Sequence, residues 1–479
     1  MNFPQEQPKP DFFRFAVCAA GLSCLAVAFT SFNAGAGEPP AAGAASIEQQ
    51  QVAEAQRSAE RAAATESALR RLDPDGTAAA GLAAKHNARA IARAAQGFAP
   101  VDVEVVPRDW VAAGLDLSKA VREGDKLVQT LPNGGKVYLT LEPDVQARMT
   151  RVFDEYNVPH GGSALVEPDT GRVLALVSHS QGEPTISTIA RRPIAPSASV
   201  FKVVTAAALI ESAGVDPAAN FCYSGGIRSL SDANIKGDLR SGPKCANLGD
   251  ALAWSINSMI ARLTYQNLSR NDLQVWAQRF GYNSEIPFEL PVEISKAEFG
   301  DDPLERARAA AGFWHTYLSP LHGALIAASV ANDGVMMQPT IVDKYVGPSG
   351  RTLYEFKPRT LRRVMSKKTA TIMGKLMEGT ADHGTARNYF QNRRDFPNSI
   401  QVSGKTGTLS DKDPYLGYTW FVGFARSASG KKAAVGGLTC NTPIWRIKGP
   451  WVASETLRSY YNVLDKRAQL ADDEVATLQ

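Results

Sequence analysis

The sequence is short of the residues on which most hydrolases and cofactor enzymes depend. Its six histidines, at 86, 160, 179, 315, 322 and 383, show no His-Glu-x-x-His or other metal-ligand spacing, so no metal centre is expected. There is no Gly-x-Ser-x-Gly elbow, which leaves a Ser-His-Asp hydrolase without its nucleophile turn. There is no Gly-x-x-x-x-Gly-Lys loop to cradle a phosphate, and no cofactor is expected. Charge of one sign is also scarce. Fifty-two Lys and Arg against 48 Asp and Glu leave a net charge of +4, and no basic run is interleaved with aromatics, which excludes a nucleic-acid partner. No internal repeat is present.

Cysteine is rare, five in 479 residues, and its meaning depends on compartment. From Phe12 to Phe32 the chain is apolar apart from Arg14 and a few hydroxyls, just long enough to cross a hydrocarbon core about 30 Å thick. Two readings stay open: an uncleaved signal anchor, towards which the reading leans, or a signal peptide cut after Ala34-Gly35-Ala36. Neither Cys18 nor Cys24 has a leucine three residues earlier, so lipid modification is not expected. Either reading exports the bulk of the chain. The expected location is single-pass in the inner (cytoplasmic) membrane through residues 12–34, with the remainder on the periplasmic, extracytoplasmic side. In such an oxidising compartment Cys222 and Cys245, in a Gly/Ser/Asn-rich excursion, are expected to close a disulfide. Cys440, in an apolar run, reads as a small buried hydrophobe.

Five segments follow from composition. Residues 1–36 are the leader. Residues 37–98, rich in Ala, Gln, Glu and Arg with no aromatic before Phe98, lack the apolar bulk for a core and read as a helical or disordered spacer. Residues 99–136 carry short β-like runs and a Pro132-Asn133-Gly134-Gly135 turn, a neck too small to fold alone. Residues 137–466 read as one large unit and 467–479 as a polar tail. Within the large unit, Val137–Leu141 is expected as a strand and 144–156 as an amphipathic helix. A hairpin is expected around Glu167-Pro168-Asp169-Thr170-Gly171. The middle is mainly helical, and strands return at 401–403, 419–425 and 433–440 before a closing helix at 454–466. The fold class is α+β: a central antiparallel sheet flanked by helices, with a mainly helical subdomain, preceded by the N-terminal apolar helix and spacer.

Three short patterns stand out in this frame. In Pro196-Ser197-Ala198-Ser199-Val200-Phe201-Lys202, prolines end the preceding segment, and an apolar run closed by Gly214 predicts a buried helix. Residues three apart share a helix face, which puts the Lys202 amine beside the Ser199 hydroxyl. A desolvated lysine loses its charge and can then take the hydroxyl proton. Ser-x-x-Lys recurs at Ser241-Gly242-Pro243-Lys244, where Gly-Pro forbids the helix that would join the two side chains. Ser255-Ile256-Asn257 follows an apolar helical segment and is flanked by Trp254 and Met259, which suggests a partly buried site. The copies at Ser31 and Ser269 fall in the leader and in a polar connection where a helix cap is the natural account. Gly404-Lys405-Thr406-Gly407-Thr408 follows a β-like Gln401-Val402-Ser403. A strand edge carrying a lysine, two hydroxyls and a bare glycine can pair with a substrate backbone and attract a carboxylate.

These three patterns in this order resemble the penicillin-binding, serine-type transpeptidase family. The resemblance runs from about Lys136 to Lys466. Leu139-Thr140-Leu141-Glu142-Pro143-Asp144 is similar to the family's opening strand and helix, and Glu167 to Ser178 to its first hairpin. Ser319-Pro320-Leu321-His322 with Ala331-Asn332-Asp333-Gly334 resembles its Ser-Pro-Leu-Gln helix and following turn, His322 standing where glutamine is usual. Trp420-Phe421-Val422-Gly423-Phe424-Ala425 resembles the strand after its Lys-Thr-Gly strand.

The resemblance implies a peptidoglycan D,D-transpeptidase, inhibited by β-lactams, without a glycosyltransferase domain. Carried over by position, Ser199 attacks the D-Ala-D-Ala carbonyl, Lys202 takes its proton and Ser255 relays a proton to the leaving amine. Asn257 binds the substrate amide and steadies Lys202, while Lys405, Thr406, Gly407 and Thr408 hold the terminal carboxylate. The N–H groups of Ser199 and Thr408 form the oxyanion hole. The implied partners are stem peptides, an acceptor amine and a separate glycan polymerase. A D,D-carboxypeptidase or a β-lactamase would share the acyl-enzyme. A non-turnover β-lactam or cell-wall sensor, or a scaffold, is the reading from another class.

Overall fold

The computed structural model describes residues 106–182, 188–225, 230–237, 239 and 243–477. The chain divides into two compact units, Met1–Asp102 and Val103–Gln479, and every described residue belongs to the second. The expected leader, spacer and first part of the neck lie outside the described residues, as does Ser241. No helix among the described residues is long and apolar enough to cross a membrane.

Alternating apolar side chains build the sheet that carries the site. In Tyr415–Arg426, Trp420 and Val422 join one core while Phe421 between them joins the other, the period of two that a strand buried on both faces requires. Five strands lie in the order Gln401–Lys412, Tyr415–Arg426, Lys432–Asn441, His160–Val166, Val173–Ser180, each antiparallel to its neighbour. Gln401–Lys412 is therefore an edge strand, and it runs through the whole Lys405-Thr406-Gly407 motif where the sequence suggested a strand ending at Ser403.

Helix Pro320–Ala331 covers one face of this sheet and is buried along its entire length, as expected of a helix apolar all round. It lies so close that a Cβ on Gly436 would meet the Pro320 carbonyl oxygen at 2.1 Å, a spacing only glycine permits. Helix Pro143–Glu155 and the closing helix pack on the opposite face. That closing helix spans Gly449–Thr477, so the segment read as a polar tail continues it as helix.

The described part of the neck pairs with the chain that follows it. Val121–Glu123, Lys126–Thr130 and Lys136–Leu139 pair with Val342–Val346 and Thr352–Glu355 in a second five-stranded sheet, and the boundary drawn at 136 runs through one of its strands. The helical region comprises Lys202–Glu211, Asp232–Lys236, Leu248–Ala253, Asn257–Asn267, Arg270–Arg279 and Pro303–Ala311. Ser269 caps Arg270–Arg279, its hydroxyl accepting from the Asp272 N–H. Cys222 and Cys245 face each other across two short antiparallel strands and are disulfide-bonded. Cys440 is buried in Lys432–Asn441, and burial pushes its thiol pKa up.

One buried ion cluster ties the closing helix to the rest. Glu455, 1% exposed, meets Arg148 at 2.9 Å, Arg458 at 2.9 Å, and Arg393, which also bonds Ser454. Glu455→Ala would leave the buried Arg393 guanidinium with only the half-exposed Asp395 as counter-charge and remove the carboxylate shared by Arg148 and Arg458. We expect a loss of about 3 kcal/mol in urea unfolding, with the slope of the transition unchanged.

Candidate active site

The site forms where the edge strand meets the turn that starts the nucleophile helix. Pro196-Ser197 leads into a 3-10 turn, Ala198–Phe201, which continues as α-helix Lys202–Glu211. Ser199 is thus on the tighter turn before the helix proper. Ala198 holds φ +48, a left-handed conformation costly for a residue with a Cβ. Four features hold it there. The Ser197 N–H donates to the Thr316 carbonyl at 2.7 Å, and Trp420 Nε1 donates to the Pro196 carbonyl at 2.9 Å. Ala195–Pro196 pairs with Tyr317–Leu318. Gly312, at φ +93, leaves the space into which the Ala198 carbonyl fits.

Lys202 is fully buried, and its Nζ lies 2.7 Å from Ser199 Oγ and 2.6 Å from Asn257 Oδ1, with the Ala311 carbonyl oxygen as third neighbour. Desolvation, and secondly the charge of Lys405, push its pKa well below the ordinary lysine value of 10.5. An uncharged amine has two N–H groups and one lone pair. Asn257 Oδ1 and the Ala311 carbonyl can only accept, so they take both N–H groups. The lone pair is left for the Ser199 O–H, the geometry of a base beside a nucleophile.

Asn257 opens helix Asn257–Asn267 and is buried. Ser255, at φ +57, sits on the left-handed link after helix Leu248–Ala253. Its hydroxyl makes no hydrogen bond to Ser199 or Lys202, so the structure joins Ser199, Lys202 and Asn257 directly but not Ser255. Of its two flanking residues Met259 is buried, whereas Trp254 is 50% exposed.

On the edge strand a Cβ on Gly407 would lie 3.1 Å from the Ser197 carbonyl oxygen and 3.2 Å from Ala198 Cβ, so the strand runs directly against the nucleophile turn. Lys405 lies on the same edge strand. It is wholly buried, its Nζ donates to the Thr406 carbonyl at 3.0 Å, and desolvation lowers its pKa to about 7. Thr408 is exposed, while Thr406 is half-buried with its hydroxyl 2.6 Å from that of Thr385.

Four residues that the sequence reading gave no role in the site contribute to it. The Ala311 carbonyl and Gly312 come from the end of helix Pro303–Ala311, whose left-handed Gly312 cap is the one signal available. Thr385 links the end of helix Leu248–Ala253 to the edge strand: its N–H donates to the Ala253 carbonyl at 3.0 Å, and its hydroxyl meets that of Thr406. Trp420 anchors the turn from the neighbouring strand.

Residues 161–449, more than half of the chain, match the family described as penicillin binding protein transpeptidase domain. The peptidoglycan D,D-transpeptidase PbpA of Mycolicibacterium smegmatis is 27% identical over 338 residues, spanning 63% of this chain and 67% of its own length. The solved D,D-transpeptidase domain of a peptidoglycan glycosyltransferase from Eggerthella lenta superposes with a TM-score of 0.60 at 23% identity, covering 73% of this chain and 92% of that one. The penicillin G acyl-enzyme complex of penicillin-binding protein A from M. tuberculosis superposes with a TM-score of 0.55 at 24% identity, covering 69% and 81%.

Proposed function

The chain belongs to the penicillin-binding protein transpeptidase family, and from that premise we propose that it is a peptidoglycan D,D-transpeptidase working through a Ser199 acyl-enzyme. The observation that carries the proposal is the fully buried Lys202 amine 2.7 Å from Ser199 Oγ, its pKa lowered by desolvation, in a turn that packs against the edge strand of the sheet.

A stem peptide ending in D-Ala-D-Ala pairs with the edge strand, its carboxylate held by the Thr406 and Thr408 hydroxyls in the field of Lys405. Lys202 takes the Ser199 proton as Oγ adds to the penultimate carbonyl. The backbone N–H groups of Ser199 and Thr408 receive the oxyanion, a preorganised pair in which each donor contributes about 3 kcal/mol. The tetrahedral centre collapses, the C–N bond breaks, and terminal D-Ala leaves as an amine with a proton relayed through Ser255, bridged by water or by the substrate itself. Asn257 steadies Lys202 and the substrate amide. An acceptor amine then attacks the ester, giving the cross-link and free Ser199. A β-lactam enters the same first step and stays as the ester. The outcome with water in place of the amine is carboxypeptidation.

The same reading places the enzyme at the outer face of the cytoplasmic membrane, held through residues 12–34, with a separate glycan polymerase supplying strands. The test is incubation with a D-Ala-D-Ala pentapeptide, with and without an acceptor amine, followed by mass spectrometry. Cross-linked product supports the proposal. Tetrapeptide alone assigns a carboxypeptidase, and absence of any product assigns a sensor or scaffold.

The two buried lysines also set a pH dependence. Acylation needs Lys202 neutral, so its rate rises with pH through a pKa well below 10.5; carboxylate binding needs Lys405 charged and weakens above about pH 7. Lys405→Gln removes a charge that helps hold Lys202 neutral. The rising limb of acylation is expected to move to higher pH, measured as β-lactam acylation rates from roughly pH 5 to 10.

A further inference from the structure

His322 stands where glutamine is usual in the resembling helix, and it is buried at the sheet-facing start of Pro320–Ala331. His315, seven residues earlier, lies in the loop before that helix and shares no face with it. Burial lowers the His322 pKa to about 4, so the ring is neutral under working conditions. Its Nε2 lies 2.8 Å from the Phe280 carbonyl oxygen, which can only accept, so Nε2 carries the proton.

This bond pins Phe280-Gly281-Tyr282. Gly281 has φ +97, and a Cβ there would stand 3.0 Å from His322 Nε2. The imidazole also leans on the Tyr282 ring, with centroids 5.0 Å apart. Tyr282 is fully buried, and burial raises its pKa, so its phenol stays protonated. Its hydroxyl lies 3.1 Å from that of Ser197, also fully buried. Ser197 immediately precedes the strained Ala198, and Ser199 follows. The side of the turn opposite Trp420 is thus reached from the central helix through His322, Tyr282 and Ser197 in succession.

We propose that Tyr282, held in place by His322, is a positioning residue for Ser199: the Tyr282–Ser197 hydroxyl pair fixes the left-handed Ala198 and with it the direction of the Ser199 side chain and N–H. The proposal rests on Ser199 being the nucleophile. Neither hydroxyl touches the reacting atoms. Their effect falls on the acylation step, because a turn held in a sparsely populated conformation relaxes when one of its few ties is cut.

The experiment is a double-mutant cycle on the full chain, read as the acylation rate constant and the non-covalent binding constant for a fluorescent penicillin, with thermal melting alongside. Wild-type labelling at Ser199 answers the functional reading by itself, and the variants answer the proposal. Tyr282→Phe keeps the ring and removes one oxygen; Ser197→Ala removes the other. Each alone is expected to slow acylation about tenfold with unchanged binding, and the double variant is expected to be no slower than either single. His322→Leu is expected to reproduce the loss, and His322→Gln, which keeps an N–H for the Phe280 carbonyl, to restore most of it. Wild-type rates in Tyr282→Phe, losses that add in the double variant, or losses that follow only the melting temperature would each overturn the proposal.

Discussion

Lys202→Met is expected to slow acylation of Ser199 by about 10²- to 10⁴-fold, the range lost when a positioned general base is removed. Methionine keeps the length of the buried stem, but its thioether sulfur is too weak a base to take the Ser199 proton. It also leaves Asn257 Oδ1 and the Ala311 carbonyl without the N–H groups they now receive. Loss of a buried hydrogen bond costs about 1 to 3 kcal/mol. Removing a wholly buried amine from the core offsets part of that cost. The fold should survive with a small change in melting temperature while labelling by a fluorescent penicillin nearly stops. A rate within tenfold of wild type in a folded variant would show that another group takes the proton.

Gly312→Ala is the second large effect, and it works through backbone alone. The new Cβ would stand 2.1 Å from the Ala198 carbonyl oxygen, 2.4 Å from its carbon and 2.8 Å from the Ser199 nitrogen, at a position where φ is +93. No side chain can rotate away, so the nucleophile turn or the end of Pro303–Ala311 must shift by about 1 Å. A displacement of that size at the reacting atoms costs roughly 100-fold in rate. Gly430→Ala serves as the control: its φ is +84, but nothing lies within 4 Å of the added carbon. The control should lose about 1 kcal/mol of stability and no activity. Similar acylation by both variants would mean that the close approach of Gly312 to the turn does not matter.

What was legible in the sequence was whatever is local. The apolar run after Ser199 gave the helix, the i, i+3 spacing placed Lys202, and the Glu167 to Gly171 turn gave the hairpin between His160–Val166 and Val173–Ser180. The second sheet was not legible, because Lys136–Leu139 meets Val342–Val346 across two hundred positions and pairing of distant strands leaves no short-range pattern. The third neighbour of Lys202 escaped for a related reason: a backbone carbonyl such as that of Ala311 has no residue identity to search for. Lys405 was found, but its burial behind the strand depends on which strand face turns inward. Its contribution to lowering the Lys202 pKa follows only once the fold brings the two amines within electrostatic reach. Tyr282 and Ser197 are common residues in unremarkable contexts, and only packing brings their hydroxyls together.

The central claim is that one hydroxyl, that of Ser199, becomes covalently acylated. Its most direct test is intact-mass and peptide-mapping spectrometry of the full chain after treatment with penicillin G. The account predicts one adduct carrying the whole mass of the opened β-lactam, on the peptide containing Ser199, and none in Ser199→Ala. An adduct on a different residue, or labelling that persists in Ser199→Ala, would contradict it.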